Sequence, residues 1–258
     1  MIGTQGLRRL LVAVVCAITF DAGLANAADW AGHHLENLPT NYVFGYGSLI
    51  NSPSRNATLR SMVTAIPVRV LAAFGYVRTW NEHNPTARFT ALGLRKIAAG
   101  EPGNTINGVI YPVDDQQLAD NDDREIGYIR AEIPPSQIEA VGWERLPEAG
   151  HIWIYVPKEA TAGGPSFDYP LLQTYIDVVI EGGFEHSPEF AREILDTTEG
   201  WSPFWLNDRE LARRPWVRDP DARKVDQLLA STPATAMLYA NRKFPETYAE
   251  TLKGAAAR

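Results

Sequence analysis

The chain has 258 residues, with 31 acidic against 24 basic side chains, a net charge of −7 with histidine neutral, and a single cysteine. An acidic chain with no basic cluster is a poor partner for nucleic acid or for an anionic membrane surface. One cysteine excludes a disulfide framework within the chain and a cysteine-rich metal site, and the length suits one large domain or a domain with an extension.

Arg8 and Arg9, an apolar run from Leu10 to Phe20, and Ala25-Asn26-Ala27 have the layout of an export signal: a charged start, a short apolar stretch and an A-x-A cleavage site. The run is shorter than the ~20 apolar residues that a membrane span needs. Residues 1–27 are therefore expected to be removed, leaving a periplasmic or secreted chain without membrane attachment. Cys16 leaves with that segment. Residues 28–40 read as a lead-in. They hold His33-His34, whose adjacency suits solvated polar residues better than two ligands of one ion.

The stretch NYVFGYGSLI, 41–50, starts as a strand over Val43 to Tyr46 and is interrupted by Gly45 and Gly47. Asn51 to Arg60 reads as loop or short helix. Val63 to Trp80 is β-branched and aromatic, with Pro67 and Gly75 expected to mark bends. RFTALGLRKI, 88–97, and TINGVIYPV, 105–113, are further strands around a Gly/Pro turn. Asp114 with Gln117 three residues on has the form of a capping box opening a short helix that gives way near Asp122. Gly127 to Ile133 and HIWIYV, 151–156, return to strand. Helices follow over Tyr169 to Glu181, stopped by Gly182-Gly183, and over Ser187 to Thr198, opened by Ser187 and Pro188. The tail from Trp201 yields no assignment. Strands first and helices later predict an α+β fold, a small mixed β-barrel or sheet with flanking helices. The core is expected over 41–160, with a helical extension packed on it and an irregular tail over 161–258.

Several stock sites are absent. Neither Ser48 nor Ser166 sits in G-x-S-x-G, and there is no H-E-x-x-H and no G-x-x-x-x-G-K-[ST]. Carboxylates remain. In Asp122-Asp123-Arg124-Glu125-Ile126-Gly127-Tyr128, three acids crowd one arginine at a helix-to-strand junction. Against an apolar wall, burial and like charge raise a carboxylate's pKa, while Arg124 lowers a neighbour's. A carboxylate so tuned is a general base; a solvated, arginine-paired turn is the other reading of these residues. At the broken strand end, Gly45 and Gly47 permit positive φ and close backbone approach, so that successive amides form an anion-binding nest. An ordinary strand end with a glycine turn is the alternative there.

VFGYGSLI followed some eighty residues later by DDREIGY resembles the γ-glutamylcyclotransferase-like family, most of all its ChaC-type and related bacterial members, over about residues 42–156. The resemblance implies that Tyr46, Gly47, Ser48 and Leu49 bind a γ-glutamyl group and that Glu125 is the catalytic acid/base; of the residues flanking Glu125, Tyr128 reads as a substrate contact and Arg124 as a structural ion-pair partner. It implies cyclisation of a small γ-glutamyl compound to 5-oxoproline with release of an amine or amino acid, and no metal or cofactor. Trp80, Asn81 and His83 are expected at the pocket rim, with Trp80 packed in the core; Trp201 and Trp205 are expected to pack. The export signal departs from the cytosolic members that typify the family. Two further readings stand beside it: a non-catalytic periplasmic protein of the same fold that binds a small carboxylate or a protein partner, and a different amide chemistry in the same pocket. Substrate identity and oligomeric state are not readable from these residues.

Overall fold

The computed structural model describes residues 29–31, 33–34, 39–211 and 222–248. The expected export segment with Cys16, and the side chains of His33 and His34, lie outside the described residues. The fold is α+β. Its centre is a six-stranded mixed sheet built from β1 (Asn41–Gly45), β2 (Ile66–Val70), β5 (Ile106–Val113), β6 (Tyr128–Glu132), β7 (Ile138–Ala140) and β8 (His151–Pro157). The strand order is β6-β8-β1-β5-β2-β7, antiparallel throughout except for the β8–β1 pair. A separate hairpin, β3 (Tyr76–Asn84) with β4 (Phe89–Lys96), leans against β8.

Register sorts the side chains. Phe44, Ile110 and Ile66 stand side by side on three adjacent strands, with Tyr42 and Ile152 continuing the same face. All five are buried, so alternation gathers one apolar interior. The opposite face carries polar anchors for helices. Asn41 Nδ2 donates to Asp115 in α2 (Asp115–Arg124), and Arg69 forms a bidentate pair with Glu193 in α4 (Pro188–Asp196). α1 (Ser52–Leu59) is capped by the Asn51 side chain, which accepts from Ser54 N at 3.0 Å.

The capping box is present as expected: Asp114 accepts from Gln117 N, and the Gln117 side chain returns to Asp114 N. Ser187 likewise caps α4, with Pro188 in its first turn. Two expectations fail. Pro67 does not bend the chain but lies inside β2. Its carbonyl accepts from Val141 N, so the side of the residue that lacks an N–H faces the end of the short strand β7. Gly182 and Gly183 do not stop a helix but lie within α3 (Gln173–Phe184), which begins later than the sequence suggests because Leu171–Leu172 pair in parallel with Trp205–Leu206. α3 is buried on almost every side, the mark of a core helix. At Gly182 a Cβ would stand 2.5 Å from Asn51 N, so glycine lets α3 press onto the turn after β1.

The tail unplaced by sequence includes α5 (Ala222–Ser231) and α6 (Ala236–Ala240). It is fixed to α3 by Arg209, whose guanidinium bonds both Asp177 oxygens and also Asp226. Among the described residues no helix is long and apolar enough to cross a membrane.

Candidate active site

Between the end of β1 and the end of α2 lies a cleft of about 360 Å³ of empty space, part of it open to solvent. The six residues expected to bind or act on the substrate line it: Tyr46, Gly47, Ser48 and Leu49 from one side, Glu125 and Tyr128 from the other. Phe44, Gly45, Leu92, Tyr155 and Tyr175 complete the walls. Tyr175 comes from α3, so the C-terminal half of the chain contributes directly to this cavity.

The loop after β1 turns into one short 3-10 turn, Ser48–Ile50. Gly47 at its N-cap has no side chain to cap the turn, and the first amides of any helical turn lack internal partners. Ile50 N and Asn51 N bond back to Gly47 O and Ser48 O, so the amides of Ser48 and Leu49, two residues that line the cleft, are the ones without a partner inside the turn. The glycines work differently from the expectation: Gly47 has φ −126 and Gly45 has no positive φ. Their role is space. A Cβ on Gly47 would stand 3.0 Å from the Tyr175 hydroxyl, and one on Gly45 2.8 Å from Leu49 Cβ.

Behind the loop sits Arg78, fully buried and not anticipated from the sequence. It donates to Tyr46 O at 3.4 Å, Asn107 O at 2.7 Å, Asn107 Oδ1 at 2.8 Å and Thr198 Oγ1 at 2.8 Å. None of these partners is a carboxylate, and burial brings Arg78 down to about 9. It stays a cation at neutral pH, so positive charge lies directly behind the turn.

Glu125 is the C-cap of α2. The backbone leaves the helix there with φ −89 and ψ 43, and Tyr128 N returns to Glu125 O at 2.8 Å. This tight exit aims the Glu125 side chain into the cleft, where it is only 16% exposed. Burial raises its pKa, opposed by Arg124. Arg124 Nε stands 3.6 Å from Glu125 Oε1, a loose pair. The rest of the Arg124 fork reaches the Thr58 and Ser48 hydroxyls, tying α1, the loop and α2 together. The other two acids turn away. Asp122 pairs with Arg130 at 2.7 Å and accepts from the Tyr155 hydroxyl, and Asp123 is exposed. Crowding of three acids on one arginine is thus not what the structure shows.

The phenols are held in place. Tyr46 Oη donates to Tyr155 O at 2.6 Å and Tyr128 Oη to Leu92 O at 2.8 Å, leaving each oxygen able to accept from a ligand. Burial foremost, with the Glu125 charge adding, raises both well above the ordinary tyrosine range. The expected rim residues do not line the cleft. Trp80 is core, edge-on to Tyr175 and Trp201, Asn81 bonds Leu94 O, and the His83 ring stacks on Tyr169. Trp201 and Trp205 do pack together, at 5.5 Å between ring centroids. Among the described residues no three His, Cys, Asp or Glu side chains are grouped to hold a metal ion.

No protein-family profile and no curated protein matches the chain. Among solved structures, it is similar to a γ-glutamyl cyclotransferase, at TM-score 0.44 and 12% identity over 62% of this chain and 90% of that one. It is similar also to a γ-glutamyl cyclotransferase specific to glutathione from yeast, at TM-score 0.33 and 16% identity over 78% and 96%. YkqA from Bacillus subtilis matches at TM-score 0.41 and 21% identity over 61% and 53%. These likenesses are partial, and the functional reading rests on the geometry of the cleft.

Proposed function

We propose that the cleft is the active site of an enzyme that cyclises a small γ-glutamyl compound to 5-oxoproline and releases an amine or amino acid. One observation carries the reading: a desolvated carboxylate, held in no tight ion pair, faces an uncapped turn of backbone amides across one small cavity. Glu125 takes a proton from the substrate's α-ammonium. The freed amine attacks the γ-carbonyl carbon, closing a five-membered ring and forming an oxyanion. The amides of the Gly47–Leu49 turn stabilise that oxyanion, an effect of ~3 kcal/mol per well-placed donor. Glu125 then gives its proton to the departing nitrogen as the amide C–N bond breaks. The ring nitrogen, which still carries two hydrogens after closure, then gives one to the ionised Glu125, which passes it to the released amine, so two protons move from the attacking nitrogen to the leaving one and no further reactant is needed. Holding the folded substrate between Tyr46, Tyr128 and Tyr175 restricts its rotation and aligns the attack.

Export belongs to the proposal too, supported by Arg8, Arg9, the short apolar run and Ala25-Asn26-Ala27. An exported enzyme meets γ-glutamyl compounds outside the cytosol. The test is Glu125→Gln, which preserves shape and removes the base. It should stay folded and lose nearly all release of 5-oxoproline; a variant as active as the wild type ends the assignment. A carboxylate ligand that raises the melting temperature while no γ-glutamyl compound is turned over points instead to a binding protein.

A further inference from the structure

A second buried acid stands behind the cleft wall. The β3–β4 ladder slips at Asn81, where Trp80 pairs with Leu92 but Glu82 pairs with Ala91. Such a bulge re-aims the side chains that follow it. It leaves Glu82 only 4% exposed. Its Oε2 accepts from Thr161 Oγ1 at 3.0 Å, and Thr161 Oγ1 also reaches Gly127 O at 2.9 Å. Gly127 packs directly on the carboxylate: a Cβ there would stand 2.1 Å from Glu82 Oε1. The turn that carries Glu125 therefore rests on Glu82, and Gly127 is the residue that permits the approach.

The charged and titratable groups facing Glu82 are Glu125 from the end of α2, Lys158 from the segment after β8, and the phenols of Tyr46 and Tyr128. Lys158 Nζ is committed to Ile126 O at 2.6 Å. Among the described residues no cation forms an ion pair with Glu82, whereas Glu125 has Arg124 within 3.6 Å and is more exposed. Of two acids in one poorly solvated corner, the one without a cation is the one that keeps a proton.

Building on the cyclotransferase reading, we propose that Glu82 is a positioning residue that governs the protonation of Glu125: just below neutral pH the two acids, on either side of Gly127, hold one proton between them, Glu82 keeps it, and Glu125 is left ionised as the base. The electrostatics agree. Burial first, with the Glu125 charge adding, pushes Glu82 up to about 7, against the restraint of Thr161 and Lys158. Neutral Glu82 confines the corner to a single negative charge before substrate binds.

The test is a carboxyl carbon-13 NMR titration of full-length wild type, Glu82→Gln and Glu125→Gln, with kcat/KM against pH for the first two. In the wild type one glutamate titrates near pH 7. That resonance is missing in Glu82→Gln, and its midpoint falls in Glu125→Gln because a neighbouring charge is gone. The Glu82→Gln profile loses the inflection near neutrality while kcat/KM below it stays within about threefold of wild type. Thr161→Val removes the hydroxyl that restrains Glu82 and raises its midpoint, which tests the pair if Glu82→Gln folds poorly. A Glu82 midpoint in the ordinary carboxylate range, or one indifferent to Glu125→Gln, overturns the proposal. So does an equal loss of rate at every pH in Glu82→Gln, which marks a merely structural role. Should no γ-glutamyl compound be turned over, the midpoints still decide the shared proton, so the pair and the cyclisation fail separately.

Discussion

Asp177 in α3 and Glu82 beside the cleft are both almost wholly buried, and the chain treats them in opposite ways. Asp177 receives Arg209 on both oxygens at 2.8 Å, with Gln173 Nε2 adding a third bond, and Arg209 extends the network to Asp226. Glu82 receives one hydroxyl, and Glu125 beside it only a loose arginine. An acid supplied with a cation and donors stays ionised and holds structure together. An acid denied them is free to change protonation within the working pH range. The contrast separates a region that fixes the tail to the core from a region that leaves two buried acids without a close cation.

The comparison can be broken at its strongest point first. Glu125→Gln should lower 5-oxoproline release by ~10²–10⁴-fold, the range for a general acid–base group. Its melting temperature should hold or rise, since a desolvated charge has gone. Asp177→Ala should do the reverse. It leaves Arg209 with Asp226 alone and should cost about 3 kcal/mol in denaturant unfolding, toward the low end for a buried pair because Arg209 is 23% exposed and keeps that second partner. It should leave the pH profile of turnover where it was.

The two regions should also differ in the sign of their pH dependence. Glu82 holds in the folded state a proton that the unfolded chain releases near 4.5. Its contribution is therefore greatest below that value and is lost as pH rises toward about 7. The loss is on the order of 3 kcal/mol at ~1.4 kcal/mol per pKa unit. Glu82→Gln should flatten this part of the stability curve. For Asp226, burial works upward, but the bonds from Arg209 and Tyr239 prevail and hold it below the ordinary range. Its contribution is present above the unfolded value and lost as pH falls through the folded one. Chemical denaturation at a series of pH values reads both signs. A smaller effect is expected from Gly47→Ala, whose methyl meets the Tyr175 hydroxyl at 3.0 Å. It should cut kcat/KM by about tenfold through misplaced substrate, with little change in unfolding.

Much of this was legible where local chemistry decides structure. The Asp114–Gln117 box, the Ser187-Pro188 start and the strand runs follow from neighbours in sequence, whereas the segments around Tyr46–Leu49 and Glu125 stood out only through their resemblance to a family. What escaped depends on contacts between distant residues. The slip at Asn81 that turns Glu82 inward leaves no trace in an alternating pattern, and the flanking Trp80 and His83 drew attention instead. Gly182 reads as a helix stop because glycine disfavours helix, yet close packing on Asn51 requires it inside α3. Tyr175 is one aromatic among ten tyrosines until α3 brings it opposite Gly47. Arg78 is one arginine inside a strand run, unremarked until Asn107 and α4 enclose it.

Whether the substrate's own amine is the nucleophile can be settled by product mass in ¹⁸O-labelled water. Wild-type protein incubated with γ-glutamyl amines and dipeptides should yield unlabelled 5-oxoproline and a free amine. Free glutamate carrying the label would mean that water attacks in this cleft, and the ring-closing account would be wrong.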